Sequence, residues 1–240
     1  MNFKHHLSKL FLASLFAIFL AACGGEPKEA AETTAAPAVD STAAAPAPAA
    51  LFNAVVVKHT VTDFAKWKAV FDAHAQARTD AGMTPISVLQ NKDNPKQVTI
   101  SMKAADLQKA RDFTSSPALK EAMQKGGVAG PPEIAFYNVL RFDETATTSK
   151  DRVIVTHRVK DFDAWLKVYD GEGTATRASN GIVDRALARG VDDPNMVLLS
   201  FVVTDMAKAK ARVASEDLKK VMMDAGVEGP PQINFYTVAQ

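Results

Sequence analysis

The sequence predicts an α+β fold: two tandem ferredoxin-like βαββαβ modules that pair their sheets into one intramolecular α+β barrel. Three observations lead there. The chain repeats itself: VVVKHTVTDFAKWKAVFD, 55 to 72, returns as VIVTHRVKDFDAWLKVYD, 153 to 170, at an offset of 98. Further on, GVAGPPEIAFY, 127 to 137, returns as GVEGPPQINFY, 226 to 236, at an offset of 99, so one residue is inserted between Asp170 and Arg177. Copies of about ninety residues have the size of domains rather than of solenoid units. Second, the apolar period switches within each copy in the order βαββαβ. Third, such a module covers only one face of its sheet with helices, and a second copy supplies the missing cover.

The elements follow in order. AVVVKHTV alternates as a strand does. TDFAKWKAVFDAHAQARTDAG reads as one helix, with Thr62 or Asp63 as N-cap, Phe64, Trp67, Phe71 and Ala75 on one stripe, and Gly82 as C-cap. MTPISVLQ and QVTISMK are strand-like and joined by the turn NKDNPK. DLQKARDFTSSPALKEAMQKGG is helical and restarts where Ser116 caps and Pro117 takes the first helical position. A glycine stop, a Pro-Pro break and the strand EIAFYNVLRF complete the copy. In the second copy YDGEGTATR places two glycines and the extra residue where the first has a regular helix, which predicts a break or π-bulge. The linker DETATTSKD, 143 to 151, is long enough to reorient the second copy.

The chain has 240 residues and a formal net charge of +1, which implies no bulk attraction to nucleic acid. Its one cysteine, Cys23, excludes an internal disulfide and a cysteine-based metal cluster. Lys4 and Lys9 precede the apolar run Leu10 to Leu20, too short to span a bilayer comfortably, and small residues come before Cys23. Residues 1–22 therefore read as an export signal. Residues 23–50, rich in Ala and Pro and without an aromatic, read as a disordered tether. The folded modules are expected at 51–148 and 149–240. The segment LAAC, Leu20 to Cys23, resembles the lipobox of bacterial lipoproteins, which implies a lipidated Cys23 as the membrane partner. Gly24 in place of an aspartate implies the outer membrane, facing the periplasm. The alternative is an ordinary secretory signal whose cysteine is incidental.

The helix start SPALKEAM, the ending GPPEIAFY and the strand order resemble the antibiotic-biosynthesis monooxygenase-type domains of the dimeric α+β barrel superfamily, over residues 54–141 and 152–239. That superfamily includes cofactor-free oxygenases, haem-degrading enzymes and isomerases. The tryptophan that commonly ends its third strand falls here on Ala104 and Val203, and the haem-ligand histidine of its second helix on Met123 and Met222. Neither mechanism carries over intact, and the methionines read as core filling. No cofactor and no metal is expected.

Polar groups that recur in both copies remain as candidates. His59 and His157 share a strand face with valines, and read either as structural histidines bonded to a backbone or cap group or as bases. Trp67 and Trp165 read as core. Arg78 and Arg177, late in the first helix, read as solvent-facing or dipole-complementing cations, with an anion clamp as the alternative. Tyr137 and Tyr236 alternate with Phe136 and Phe235 and are expected to face the barrel. With Lys58 and Arg158 from the first strands they would suit a small amphipathic anion, with an internal packing network as the alternative. No GxSxG, HExxH, P-loop or dinucleotide motif is present. The expected protein is a membrane-anchored, periplasm-facing lipoprotein, monomeric with an internal pseudo-dimer, that binds a small molecule in its barrel. The alternatives are a cofactor-independent monooxygenase or isomerase, and a module that holds an envelope protein.

Overall fold

The computed structural model describes residues 50–239. The expected export signal, Cys23 and nearly all of the expected tether lie outside the described residues. The first module runs β1 (Phe52–Val61), α1 (Phe64–Ala73), α2 (Ala75–Asp80), β2 (Met83–Asn91), β3 (Gln97–Ala104), α3 (Leu107–Thr114), α4 (Pro117–Lys125) and β4 (Val128–Phe142). The second repeats it as β5 (Asp151–Val159), α5 (Phe162–Glu172), α6 (Thr174–Ser179), β6 (Ile182–Gly190), β7 (Met196–Val203), α7 (Met206–Val213), α8 (Glu216–Asp224) and β8 (Val227–Val238).

Helices begin where short polar side chains can satisfy free backbone N–H groups. Asp63 accepts from the Lys66 N–H at 2.7 Å, Asp161 from the Ala164 N–H at 2.8 Å, and Ser116 from the Leu119 N–H at 3.2 Å.

The strands close into a barrel in the order β1-β3-β2-β8-β5-β7-β6-β4, every neighbouring pair antiparallel. The two modules meet edge to edge. Leu89 pairs with Val238 and Asn91 with Tyr236 across β2 and β8, while Tyr137 pairs with Gly190 and Val139 with Ala188 across β4 and β6. Since neighbours alternate in direction, β1 and β5 run the same way, and the pseudo-twofold axis lies along the barrel. Each barrel mouth is therefore built from equivalent positions of both copies.

Alternation along the strands separates two environments. Val55, Val57 and Val61 pack under the helices with Trp67, Ile100 and Phe136, and Val153, Val155 and Val159 do the same with Trp165, Leu199 and Phe235. Ala54, Leu89, Tyr137, Ile154, Leu198 and Tyr236 fill the barrel interior.

Two local expectations are corrected. The first helix is interrupted in both copies, not only in the second. Copy two absorbs its extra residue at Gly173, whose φ of +79° suits glycine, whereas copy one turns at His74 with φ −88° and ψ 12°. The Pro-Pro pair is not a break before the strand but lies inside β4. Lys58 pairs with Glu133 and Thr60 with Ala129, so Gly130, Pro131 and Pro132 bulge opposite His59. The missing proline N–H groups cost no ladder bond there, because the pairing of β4 with β6 begins only at Tyr137. Gly229, Pro230 and Pro231 bulge opposite His157 in the same way.

Candidate functional site

One mouth of the barrel holds a cavity of about 130 Å³. Its walls come from both copies: Phe52, Ala54, Val56, Ile86, Val139 and Phe142 from the first, Ile154, Ala188, Leu198 and Val238 from the second, with Ser87, Ser101, Ser200 and Tyr137 as uncharged polar groups. Its cations, Arg152 and Arg185, are both from the second copy. The equivalent positions in the first copy are Ala54 and Ile86, so a symmetric scaffold carries an asymmetric lining.

Backbone carbonyls hold the two guanidinium groups. Arg152 Nη1 donates to Ser149 O at 2.8 Å and to Asp151 O at 2.9 Å, and Arg185 Nη1 donates to Thr145 O at 2.9 Å in the linker. Neither forms an ion pair among the described residues. Burial, followed by the neighbouring charge of Arg185, lowers the pKa of Arg152 against the weaker opposing pull of Asp151. Beside them Lys103 is paired with Glu144 at 2.9 Å and lies over the rings of Phe52 and Phe142. Tyr137 is buried, and desolvation with the added field of Glu133 pushes its phenol up to about 12, so it is a neutral donor at pH 7.

The other residues expected at a barrel pocket are distributed differently. Lys58 does point into the barrel, but toward the opposite end, where it pairs with Glu133 at 2.8 Å. Tyr236 is buried there too, accepting from Thr99 Oγ1 at 3.3 Å, and burial raises its pKa. Arg158 is no pocket residue: it is exposed and paired with Asp193 at 2.7 Å and Glu228 at 3.1 Å. The barrel position equivalent to Lys58 is Thr156, and by Arg158 the strand has reached the rim. The pocket arginines went unread in the sequence, although Arg152 is two residues from Ile154 and so shares its face.

His59 and His157 are likewise outside the barrel. They lie between sheet and helices, each edge-on to a tryptophan, Trp67 or Trp165, with 5.4 Å between ring centroids. The expected backbone or cap partner is missing: none of their four ring nitrogens has a hydrogen-bond partner among the described residues. Burial lowers both pKa values to about 4, so both rings are neutral at pH 7.

Each histidine borders a small cavity under the helices, about 60 Å³ in the first copy and about 70 Å³ in the second. Arg78 and Arg177 line these cavities and are buried, which corrects their solvent-facing reading. Each donates from Nη1 back to the helix, to Phe71 O at 2.6 Å and Tyr169 O at 2.9 Å, and stacks over the same residue's ring. Met123 and Met222 line the same cavities. Spaces of this size hold a few atoms, not a porphyrin. No group of three or more His, Cys, Asp or Glu among the described residues could hold a metal ion.

A closed eight-stranded α+β barrel made of two ferredoxin-like halves has the fold of the dimeric α+β barrel superfamily, here built within one chain. Solved structures agree. A candidate monooxygenase from Fusobacterium nucleatum aligns with 80% of this chain and 94% of its own, at 13% identity and a TM-score of 0.56. An anthrone oxidase-like protein aligns with 79% of this chain and 92% of its own, at 12% identity and a TM-score of 0.55. A candidate monooxygenase from Lactobacillus acidophilus aligns with 78% and 94%, at 13% identity and a TM-score of 0.53. At such identities the likeness is one of fold. No family model matches the chain, and no curated protein matches it by sequence.

Proposed function

We propose that this chain is a membrane-anchored envelope protein that binds a small amphipathic anion at the barrel mouth. The observation that carries the reading is the juxtaposition of Arg152 and Arg185, two unpaired guanidinium groups held by backbone carbonyls over an apolar cavity. Like charges brought together at the edge of a low-dielectric space favour an anion between them. A cavity near 130 Å³ takes an apolar body about the size of one aromatic ring, and the Tyr137 phenol offers a donor beside it. Anchoring rests on the LAAC segment and its Cys23.

Binding is better supported than catalysis. The titratable groups lining this cavity are two arginines and a tyrosine held protonated at neutral pH, so none of them is a general base that could activate the serine hydroxyls there. The test is calorimetric titration of the full chain with benzoate and with benzyl alcohol. Benzoate should bind at least tenfold more tightly, and Arg152→Ala or Arg185→Ala should remove that preference. Equal affinity for the two probes, or a preference kept in both variants, would refute the reading.

A further inference from the structure

The two cavities under the helices differ in one respect that the repeat makes measurable. In the second copy the buried Arg177 is fully neutralised. Its Nε and Nη2 donate to the Asp184 carboxylate at 2.7 and 2.8 Å, and Nη1 reaches Glu172 at 3.3 Å. The first copy reproduces the arginine, its bond to the helix carbonyl and its stacking on the ring below. It does not reproduce the carboxylates. Position 85, equivalent to Asp184, is proline, and the turn equivalent to Glu172 is Ala73 and His74. Both strands carry a bulge at the same place, after Pro85 and after Asp184, so the two sites share one backbone plan.

The consequence is a cavity lined with unused nitrogens. Arg78 is 5% exposed and its Nε has no partner; Nδ1 of His74 and both ring nitrogens of His59 are also unpartnered among the described residues. Asp72, the carboxylate whose field reaches Arg78, is exposed and held by Lys68 at 2.6 Å. A buried guanidinium without a counter-ion is expensive, and native structures seldom leave one so. The rest of the lining is apolar, with Val57, Ile100, Met102 and Phe113 among it.

We propose that this cavity of the first module binds a small aliphatic carboxylate, whose charge stands where Asp184 and Glu172 stand in the second. A space of about 60 Å³ limits the occupant to a few heavy atoms. Its apolar walls suit a short hydrocarbon tail, which phosphate and sulfate lack.

The test uses the full chain, sodium acetate and sodium butyrate, with chloride at matched ionic strength as reference. Two readouts serve: the thermal midpoint, and emission of Trp67, which lines the cavity, in a Trp165→Phe background. Butyrate at tenfold over its dissociation constant should raise the midpoint by about 3 °C and change the Trp67 emission. Pro85→Asp installs the carboxylate of the second copy; it should melt higher without ligand and no longer respond. Arg78→Met should also lose the response, while Arg152→Ala and Arg185→Ala should keep it, which separates this site from the barrel mouth. The proposal is overturned if neither salt shifts the wild type beyond chloride. It is equally overturned if Arg78→Met responds as the wild type does, or if a cooperatively melting Pro85→Asp does so.

Discussion

The imidazole of His59 stands edge-on to the indole of Trp67, 5.4 Å between centroids at 62°, and His157 meets Trp165 at the same distance and angle. Both copies keep this pair, opposite the bulge that the GPP phrase makes in the neighbouring strand. The rings are buried with no hydrogen bond, which sets their response to acid.

Each histidine titrates near 6.5 when unfolded and at about 4 when folded. The unfolded chain therefore binds more protons between these values, and stability must fall as pH drops from about 6.5 toward 4. The full effect is about 3 kcal/mol per histidine. Urea midpoints from pH 7 to 4 should show a shallower slope for His59→Leu and His157→Leu than for the wild type. Parallel slopes would mean the rings are hydrated or bonded in solution.

Removing one partner of a buried ion pair leaves the other uncompensated. Asp184→Ala strips Arg177 of its bidentate acceptor and Tyr169 of its 3.1 Å hydrogen-bond acceptor. The loss should be about 3 kcal/mol, toward the lower end for such pairs because Glu172 remains. Denaturant unfolding of the variant measures it.

The two neighbours Phe136 and Tyr137 should separate stability from binding. Phe136 is 7% exposed beneath the helices, and Phe136→Ala should cost about 3–5 kcal/mol. Tyr137→Phe should change stability by less than about 0.5 kcal/mol while weakening benzoate binding. Tyr236→Phe should cost about 1 kcal/mol, since the Thr99 hydroxyl loses its acceptor. Thermal melts of the three variants, with the same titration, decide between these roles.

Closure of the barrel removes every free sheet edge. Residues 51–240 should be monomeric by light scattering. Residues 51–148 alone would expose the edges of β2 and β4 that β8 and β6 cover, and should dimerise or aggregate. A stable monomeric single module would contradict the dependence of each sheet on the other.

Membrane association tests the anchor. If Cys23 carries the acyl chains, Cys23→Ser should leave an uncleaved or soluble form. Unchanged fractionation with membranes would exclude lipidation at this residue.

Much of the architecture was legible because it is local. The offset repeat, the Asp and Ser caps, the restart at Pro117 and the alternation that sends Phe136 one way and Tyr137 the other all depend on neighbours within a few residues. What strand alternation cannot state is position along the barrel. Lys58 and Arg152 both occupy interior-facing positions, yet one is paired with Glu133 at the far end and the other lines the open mouth with Arg185. That difference arises from where β2 meets β8 and β4 meets β6, a register set between modules. The arginines under the helices make the same point. Arg78 and Arg177 look alike in sequence, each late in a helix, and only the packing buries both. Only across the helix–sheet gap does Asp184 neutralise one while Pro85 leaves the other without a counter-ion, because charge pairing is decided by distance in space and not by spacing in the chain.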